Sequence, residues 1–252
     1  MTKQNSSKLK RILEMIPNNS LVTTQWLKKQ GISNTLLHFY TNSGWLSAVS
    51  VGVYKKLSDD FDMDGAIYAL QSQLNLAIHI GALSSLSEKY NLSQNIMFNY
   101  KTVLFGLKKE KLPKWFKTIF KNKYDIFFTD FLPENLGIEI YNNKSFTTKI
   151  SSMERAILEV LYLVPNAITI QTAYQTMEML SSLRPNLLQK LLENTNSIKV
   201  KRLFLYMAEK CNYPWFEKLN LKRINLGKGI RKITSKGKFD KKYKIVIGNV
   251  EQ

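Results

Sequence analysis

Residues 23–57 read TTQWLKKQGISNTLLHFYTNSGWLSAVSVGVYKKL, and this stretch decides the predicted fold of the N-terminal region. Thr23 and Ser33 can each cap a short helix, because their hydroxyls accept hydrogen bonds from first-turn amides. Gly31 and Gly44 end the two helices, since glycine readily adopts the left-handed conformation at a helix C-terminus. Two short helices joined by a glycine-containing turn predict a helix-turn-helix.

A β-hairpin is predicted directly after the second of these helices. Apolar residues flank a turn at 50–52, with Trp45, Leu46 and Val49 before it and Val53, Tyr54 and Leu57 after it. A further helix precedes the pair, with Ser7 as its predicted cap and Pro17 as its stop. The N-terminal region is therefore predicted to be a winged helix-turn-helix.

The helix that follows Ser33 is predicted to enter the major groove of double-stranded DNA. Its periodicity assigns Ile32, Leu36, Leu37 and Tyr40 to the core. The candidate DNA-contacting residues on the remaining face and at the cap are Ser33, Asn34, Thr35, His38 and Asn42. Asparagine can pair with adenine and threonine can touch a thymine methyl group, so this face is suited to reading bases.

Four lysines near this helix are candidates for phosphate contacts. Lys28 and Lys29 end the preceding helix, and Lys55 and Lys56 follow the hairpin turn. Such contacts position a protein on DNA without specifying sequence. Winged helices also serve as protein–protein modules, so that interpretation stays open beside DNA binding.

The charge of the chain points to an anionic partner. Its 252 residues include 37 basic and 19 acidic ones, for a net charge of +18. Nucleic acid is the first candidate, followed by an acidic protein or an anionic membrane surface. The excess is uneven, because residues 201–252 hold 14 basic and 4 acidic residues while residues 151–200 hold four of each.

The rest of the chain predicts an α+β fold, with a mixed β-strand and helical C-terminal domain after the winged helix-turn-helix. Residues 64–90 show one helical pattern, and residues 94–149 are rich in β-branched and aromatic residues, with a short helix near Pro113. Ser151 and Glu154 form a predicted capping box for a helix through Leu163. Further helices are expected at 168–181, 185–193 and 197–211. The predicted domains are 1–93 and 94–252.

A basic C-terminal surface is predicted to add DNA contacts. Its candidate residues are Arg202, on the predicted solvent-exposed face of the 197–211 helix, and Arg223, Lys228, Arg231 and Lys232. DNA backbone is favoured as its partner over RNA or an acidic patch on a protein, because the N-terminal domain already brings the chain to DNA.

The sequence predicts no catalytic residues, metal site or cofactor. It has two histidines without partners at metal-ligand spacing, and no P-loop, G-x-S-x-G or H-E-x-x-H motif. The single cysteine, Cys211, fits a reducing cytoplasm, and no apolar run is long enough to cross a bilayer. The four tryptophans, Trp26, Trp45, Trp115 and Trp215, are expected in the core, with a role as a partner anchor as the alternative for Trp215.

Several segments together resemble the AbiEi-type antitoxins of bacterial abortive-infection, or type IV, toxin–antitoxin systems. They are SNTLLHFYTNSGWLSAVSVGVY (33–54), HIGALSSL (79–86), SSMERAILEVLYLVP (151–165), LRPNLLQKLLENTNSIKVKRLFLYMAEKCNYPWFEKL (183–219) and LGKGIRKI (226–233). The resemblance covers nearly the whole chain, with the motifs in family order. One departure concerns the wing, where family members often carry a basic residue and this chain has Ser50 and Val51.

The resemblance implies an N-terminal domain that binds repeats in its own promoter and represses its operon. It also implies a C-terminal domain that counteracts a nucleotidyltransferase toxin, with or without direct contact. Two alternatives stay open from the residues themselves. One is a winged-helix repressor without a toxin partner. The other is an RNA-binding factor or enzyme that uses the basic C-terminal region.

Overall fold

The helix-turn-helix stretch folds into the predicted elements, with one short strand added before them. The computed structural model describes residues 3–92, 101–234 and 236–249. Its first six elements are α1 (Lys3–Met15), β1 (Val22–Thr23), α2 (Thr24–Lys29), α3 (Asn34–Asn42), β2 (Leu46–Ser50) and β3 (Val53–Lys56). The three strands form an antiparallel sheet in the order β1-β3-β2. This is the topology of a winged helix-turn-helix.

Both predicted helix caps of this region are present. The Thr23 hydroxyl accepts a hydrogen bond from the Trp26 amide at 3.2 Å, and the Ser33 hydroxyl accepts one from the Leu36 amide at 3.2 Å. Gly31 and Gly44 have φ values of 78° and 73°, the conformation that favours glycine. The predicted start of the first helix is wrong, because α1 already begins at Lys3, ahead of Ser7.

The core of the winged helix is close to the predicted one. Ile32, Leu37 and Tyr40 are buried and Leu36 is half-buried. The expectation that Trp45 packs in the core is wrong, because this side chain is 47% exposed. Successive strand residues point to opposite faces of a sheet, and the next residue, Leu46, takes the buried face.

The single helix predicted over 64–90 is wrong, because the structure divides this stretch. It contains α4 (Met63–Tyr68), a π-helical turn (Ala69–Gln73), β4 (His79–Ile80) and α5 (Ala82–Tyr90). The Gln73 side chain forms two hydrogen bonds with the backbone at β1. It accepts from the Thr23 amide and donates to the carbonyl of Leu21, the residue before β1, both at 2.8 Å. Asn75 then takes a left-handed φ of 55°, which ends the helical path.

Strands follow where β-rich sequence predicted them. They are β5 (Thr102–Gly106), β6 (Tyr124–Phe128), β7 (Ile138–Asn142) and β8 (Thr147–Ser151), with α6 (Lys114–Ile119) between the first two. These strands and β4 form a five-stranded sheet in the order β6-β5-β4-β8-β7. Pro113 directly precedes α6, which confirms the predicted short helix. Residues 93–100, which open the predicted β-rich region, lie outside the described residues.

The C-terminal part is mainly helical, as predicted. It contains α7 (Met153–Leu163), α8 (Ile170–Glu178), α9 (Pro185–Asn194), α10 (Ile198–Cys211), α11 (Pro214–Glu217) and a 3-10 turn (Leu221–Arg223). A small sheet follows, with β9 (Arg231–Lys232), β10 (Lys238–Asp240) and β11 (Ile245–Ile247) in the order β10-β11-β9. Together these elements confirm the predicted α+β class.

The predicted capping box of Ser151 and Glu154 is wrong, because the cap of α7 lies one residue later. Ser152 is the cap, and its hydroxyl accepts from the Arg155 amide at 3.3 Å. Ser151 instead ends β8 and donates its hydroxyl to the buried Glu159 carboxylate at 2.7 Å. That carboxylate also accepts from Arg155 Nε at 2.8 Å, so α7 carries a buried ion pair between Arg155 and Glu159.

A second ionic network joins Arg184 to two carboxylates. Arg184 donates to the carboxylates of Glu154 at 2.7 Å and Glu139 at 2.5 Å. Burial alone would raise the pKa of Glu139, but hydrogen bonds from Lys89, Tyr90 and Arg184 outweigh it and lower this pKa to about 2.

The chain divides into two compact units that alternate along the sequence. The first contains Met1–His79, Lys109–Tyr124 and Ile140–Lys149, and the second contains Ile80–Lys108, Asp125–Glu139 and Ile150–Gln252. The predicted domains, 1–93 and 94–252, stay a prediction; in the compact units the second begins at Ile80, and two later segments belong to the first. The predicted boundary itself lies outside the described residues.

Candidate nucleic-acid interface

The outer face of α3 is polar and accessible. Asn34, Thr35, His38 and Asn42 are all exposed. This agrees with the predicted division of the helix into a buried and an exposed face. Amide, hydroxyl and imidazole groups can all hydrogen-bond to base edges in the major groove. The role of these residues in base contacts stays a prediction.

One exposed aromatic residue on α3 was not singled out from the sequence. Phe39 is 44% exposed and its ring lies edge-on to Tyr40, at 6.2 Å between centroids. An exposed aromatic ring beside polar residues can contact a thymine methyl group. The exposure of Phe39 could have been predicted from its position, because it falls outside the helical spacing of the core residues Leu36, Leu37 and Tyr40.

Ser33, the residue before α3, also caps this helix. The Ser33 hydroxyl oxygen accepts from the Leu36 amide, which satisfies one of the unpaired donors at the start of the helix. Its hydroxyl hydrogen can still be donated to a phosphate oxygen. Ser33 is exposed, as a DNA contact at this position requires.

The four lysines predicted for phosphate contacts fall into two classes. Lys28 and Lys29 are exposed in the last turn of α2, and neither forms an ion pair within the described residues. Lys55 and Lys56 are half-buried and engaged. Lys55 and Lys56 are therefore less accessible than Lys28 and Lys29, and their phosphate contacts stay a prediction.

The partners of Lys55 and Lys56 come from the loop after the hairpin and from the segment after α1. Lys55 Nζ donates to the Asp59 carbonyl at 2.5 Å and lies 3.9 Å from the Asp60 carboxylate. Lys56 Nζ donates to the Asn18 side chain at 2.6 Å and lies 3.8 Å from the Asp59 carboxylate. These neighbours cancel much of the charge that the hairpin would otherwise present.

The tip of the wing carries no charge at all. Residues 45–54 contain no basic or acidic side chain. Val51 is 96% exposed at the turn, and Gly52 has a φ of 78°. The wing therefore offers an apolar tip, without the cation that would attract a phosphate or enter a minor groove.

Arg202 is not part of an exposed surface, so its prediction as a DNA contact is wrong. Its side chain is 1% exposed. The guanidinium donates to four carbonyls: Leu226 at 2.8 Å, Gly229 at 2.6 Å, Lys244 at 3.0 Å and Gly227 at 3.1 Å. Burial lowers the pKa of Arg202, and the nearby charge of Arg231 lowers it further. The predicted solvent-exposed face of α10 is covered by the segments that supply these carbonyls.

The other predicted cations of the C-terminal region are exposed. Arg223 nevertheless forms a two-point ion pair with Glu193, at 2.9 Å from Nε and 3.1 Å from Nη2. Lys228, Arg231 and Lys232 are exposed and form no ion pair within the described residues. Only these three therefore present uncompensated charge among the C-terminal candidates.

A further cluster of cations was missed in the sequence. Its members are Lys109, Lys111, Lys114, Lys117, Lys121 and Lys123, all of them exposed. They belong to the first unit, which also contains the winged helix-turn-helix. Charge counted over residues 61–150 as a whole hides this cluster, because acidic residues elsewhere in that window offset it. Counting in windows of about 15 residues would have found it.

The described residues contain no group of three or more histidine, cysteine or acidic side chains placed to hold a metal ion. Cys211 is half-buried, and burial is the main reason that its pKa rises to about 11. No described helix is both long and apolar enough to span a bilayer.

The order of helices and strands, and the exposed polar face of α3, define a winged helix-turn-helix protein. Residues 5–98 match the family model described as "Transcriptional regulator, AbiEi antitoxin N-terminal domain". Residues 99–248 match the model described as "Transcriptional regulator, AbiEi antitoxin, Type IV TA system". The chain therefore belongs to the AbiEi family of transcriptional regulators and antitoxins of type IV toxin–antitoxin systems.

The fold is also found in a solved structure. The crystal structure of the RV2827C protein from Mycobacterium tuberculosis superposes with a TM-score of 0.56 at 10% sequence identity. The match covers 99% of this chain and 93% of that one. At this identity the likeness concerns the fold alone. No match is found among curated proteins.

Proposed function

We propose that the protein is a cytoplasmic, DNA-binding antitoxin that represses its own operon and counteracts a nucleotidyltransferase toxin. It acts by binding and carries out no catalysis. The family supports the antitoxin role, and the observation that carries the DNA-binding part is the exposed polar face of α3. Asn34, Thr35, His38 and Asn42 would read base edges in promoter repeats.

Phosphate contacts would position α3 on the duplex. Lys28 and Lys29 are exposed and unpaired among the described residues, so they are the best suited of the predicted lysines. Lys228, Arg231 and Lys232 would add contacts to the DNA backbone from the C-terminal region. Each such contact contributes affinity that depends strongly on salt but little on sequence.

The test compares two double variants of the full-length protein. Asn34→Ala with His38→Ala should lower the preference for the promoter duplex over a random duplex by about tenfold to a hundredfold, since a good base contact contributes about 1–3 kcal/mol of discrimination. Lys28→Ala with Lys29→Ala should weaken binding to both duplexes and reduce the salt slope by about 2. Gel shifts over a salt series measure both quantities.

An unchanged preference in the Asn34/His38 variant, with its folding confirmed by thermal melting, would exclude α3 from base reading. Toxin counteraction is measured separately, by growth of cells that express the chain together with the nucleotidyltransferase. Co-purification of the two proteins decides between direct contact and action on the same cellular target.

A further inference from the structure

The lysine cluster of residues 109–123 is a large group of exposed charges without ion pairs among the described residues of the first unit. This stretch contains six lysines and a single acidic residue, Glu110. All six lysines are exposed, and none of them forms an ion pair within the described residues. We call this group, Lys109, Lys111, Lys114, Lys117, Lys121 and Lys123, the lysine surface.

The lysine surface rests on a packed aromatic base. Trp115, Phe116 and Phe120 are buried, and the Phe120 ring lies edge-on to Phe61 at 6.3 Å between centroids. Phe116 also contacts Tyr124, at 5.1 Å between ring centroids. Packing of one side of α6 leaves the other side to the lysines. Their backbone is therefore held in place, although their side chains extend into solvent.

The spacing of the lysines concentrates their charge. Lys114 and Lys117 are three residues apart on α6, which places them on one side of the helix, and Lys121 and Lys123 follow shortly after its C-terminal end. Like charges at this spacing repel, and the repulsion is relieved when an anion lies against them.

The only acidic residue of the stretch does not neutralise this surface. Glu110 Oε1 accepts a hydrogen bond from the Ala77 amide at 2.6 Å, and Oε2 is buried. The carboxylate is therefore directed into the first unit and away from the lysines. It fastens the segment to the residues that follow the π-helical turn.

The wing lacks the accessible positive charge that the lysine surface has. The wing tip carries no charge, and Lys55 and Lys56 are engaged by Asp59, Asp60 and Asn18. A winged helix needs cations beside its reading helix, because phosphate contacts hold the helix in register. Among the described residues of the first unit, exposed cations without an ion pair occur at Lys28 and Lys29 in α2 and, in larger number, in residues 109–123, a segment far from the helix-turn-helix in sequence.

We infer that the lysine surface binds the phosphate backbone of double-stranded DNA, independently of sequence, while α3 reads the bases. This inference rests on the proposed function and adds a second contact region to it. The lysine surface contains only ammonium groups, which act as point charges toward phosphate, and no arginine that would form forked contacts with bases.

Two other kinds of partner fit the surface less well. Single-stranded nucleic acid is bound by aromatic side chains on which bases stack, and the tryptophan and phenylalanines of residues 109–123 are buried. Protein interfaces have cores enriched in aromatic residues, methionine and arginine and depleted in lysine. In the test below, a loss confined to single-stranded RNA would favour the first alternative, and an unchanged duplex affinity would leave the second.

The experiment uses the full-length protein with Lys117→Gln and Lys121→Gln. Its matched control carries Lys190→Gln and Lys218→Gln, which removes the same charge from two exposed lysines of the second unit. Affinity is measured over a salt series on three nucleic acids of equal length: the duplex upstream of its own gene, a random duplex and a single-stranded RNA.

The Lys117/Lys121 variant should bind both duplexes about twentyfold more weakly near 0.15 M salt, with the salt slope reduced by about 2. Its preference for the upstream duplex should stay unchanged, because backbone contacts carry no sequence information. The control should remain within about twofold of wild type, since neither of its lysines belongs to a proposed DNA contact.

Several results would overturn the inference. They are equal losses in variant and control, unchanged duplex affinity in the variant, or a loss confined to the RNA. If the wild type shows no preference for the upstream duplex while the variant still loses duplex affinity, the proposed operator recognition fails and the lysine surface stands. If the wild type has the preference and the variant binds normally, only the lysine surface fails. A wild type that binds no duplex overturns both.

Discussion

Two basic regions of this molecule use their charge in different ways. In the C-terminal region, Arg202 is buried among carbonyls, Arg223 is paired with Glu193, and Lys242 is paired with Glu209. In the lysine surface, all six cations are exposed and none forms an ion pair within the described residues. Three cations of the more basic region are therefore used in internal contacts, while others there, such as Lys228, Arg231 and Lys232, are exposed. The charge that a ligand meets is set by burial and pairing as well as by number.

The chemistry of the side chains explains part of this difference. A guanidinium has five donors in a planar fork, so one arginine can satisfy several carbonyls of an irregular segment at once. Arg202 does this for residues 226, 227, 229 and 244. Lysine has a compact, strongly hydrated ammonium group on a flexible stem, which favours solvent. A basic segment rich in lysine thus remains available, whereas an arginine on a helix can be recruited into the core.

The largest expected effect concerns Arg202. Arg202→Met should lower the free energy of unfolding by about 2–4 kcal/mol, because several carbonyls lose a charged donor and a hydrogen bond to a charged group contributes about 1.5–3 kcal/mol. Arg202→Lys should fall between wild type and Arg202→Met, since an ammonium group cannot span four carbonyls. Denaturant titration measures the stability, and limited proteolysis should show faster cleavage within residues 226–249.

Arg223→Met is the matched control for that experiment, because it removes an arginine that is exposed. A variant Arg202→Met with wild-type stability and wild-type protease resistance would show that the buried guanidinium does not hold the C-terminal segment. The contrast between buried or paired cations and exposed, unpaired ones would then lose its main example.

A smaller effect is expected from the exposed C-terminal cations. Reversing Lys228, Arg231 and Lys232 to Glu should weaken promoter binding about a hundredfold at low salt and far less at high salt, since phosphate contacts are screened by ions. Relief of toxin-induced growth arrest should largely survive. Gel shifts at two salt concentrations and a growth assay give the two readouts.

The opposite result would reassign this surface. If the charge-reversed protein bound its promoter normally but no longer protected cells, these residues would belong to toxin neutralisation. The comparison with the lysine surface would then separate two functions, with DNA contacts in the first unit and antitoxin activity in the C-terminal region.

The smallest effect is expected at Arg223. Arg223→Gln should change stability by less than about 1 kcal/mol, because an ion pair this exposed is weakened by water and salt. It should also change promoter affinity by no more than about twofold, since Glu193 already compensates the charge. Competition binding resolves a change of this size. A tenfold loss of affinity would mean that Arg223 leaves Glu193 when DNA binds.

Much of the first unit was predictable because its signals are local. Thr23 and Ser33 cap their helices through hydrogen bonds that span three residues, and Gly31 and Gly44 supply backbone conformations that few other residues adopt. The exposed face of α3 follows from helical periodicity within ten residues. Such features depend on neighbours in sequence, so they can be read without knowing the fold.

Other features depended on partners far away along the chain. The π-helical turn after α4 reflects Gln73, whose amide pairs with the backbone of β1 about fifty residues earlier. Ser152 caps α7 because Ser151 is taken by β8 and Glu159. Trp45 is exposed because its neighbour Leu46 occupies the buried face of the sheet.

The sequence by itself determined the α+β class, the helix-turn-helix with its wing, most C-terminal helices and the overall excess of positive charge. These follow from periodicity, capping and composition, which act over short distances or over the whole chain. Only the tertiary structure decided which cations are available and which residues share a unit. Arg202 is buried by segments 24 to 42 residues away, and residues 109–124 return to the unit of the winged helix. Burial and pairing depend on which distant segments meet, and that is settled only when the whole core is packed.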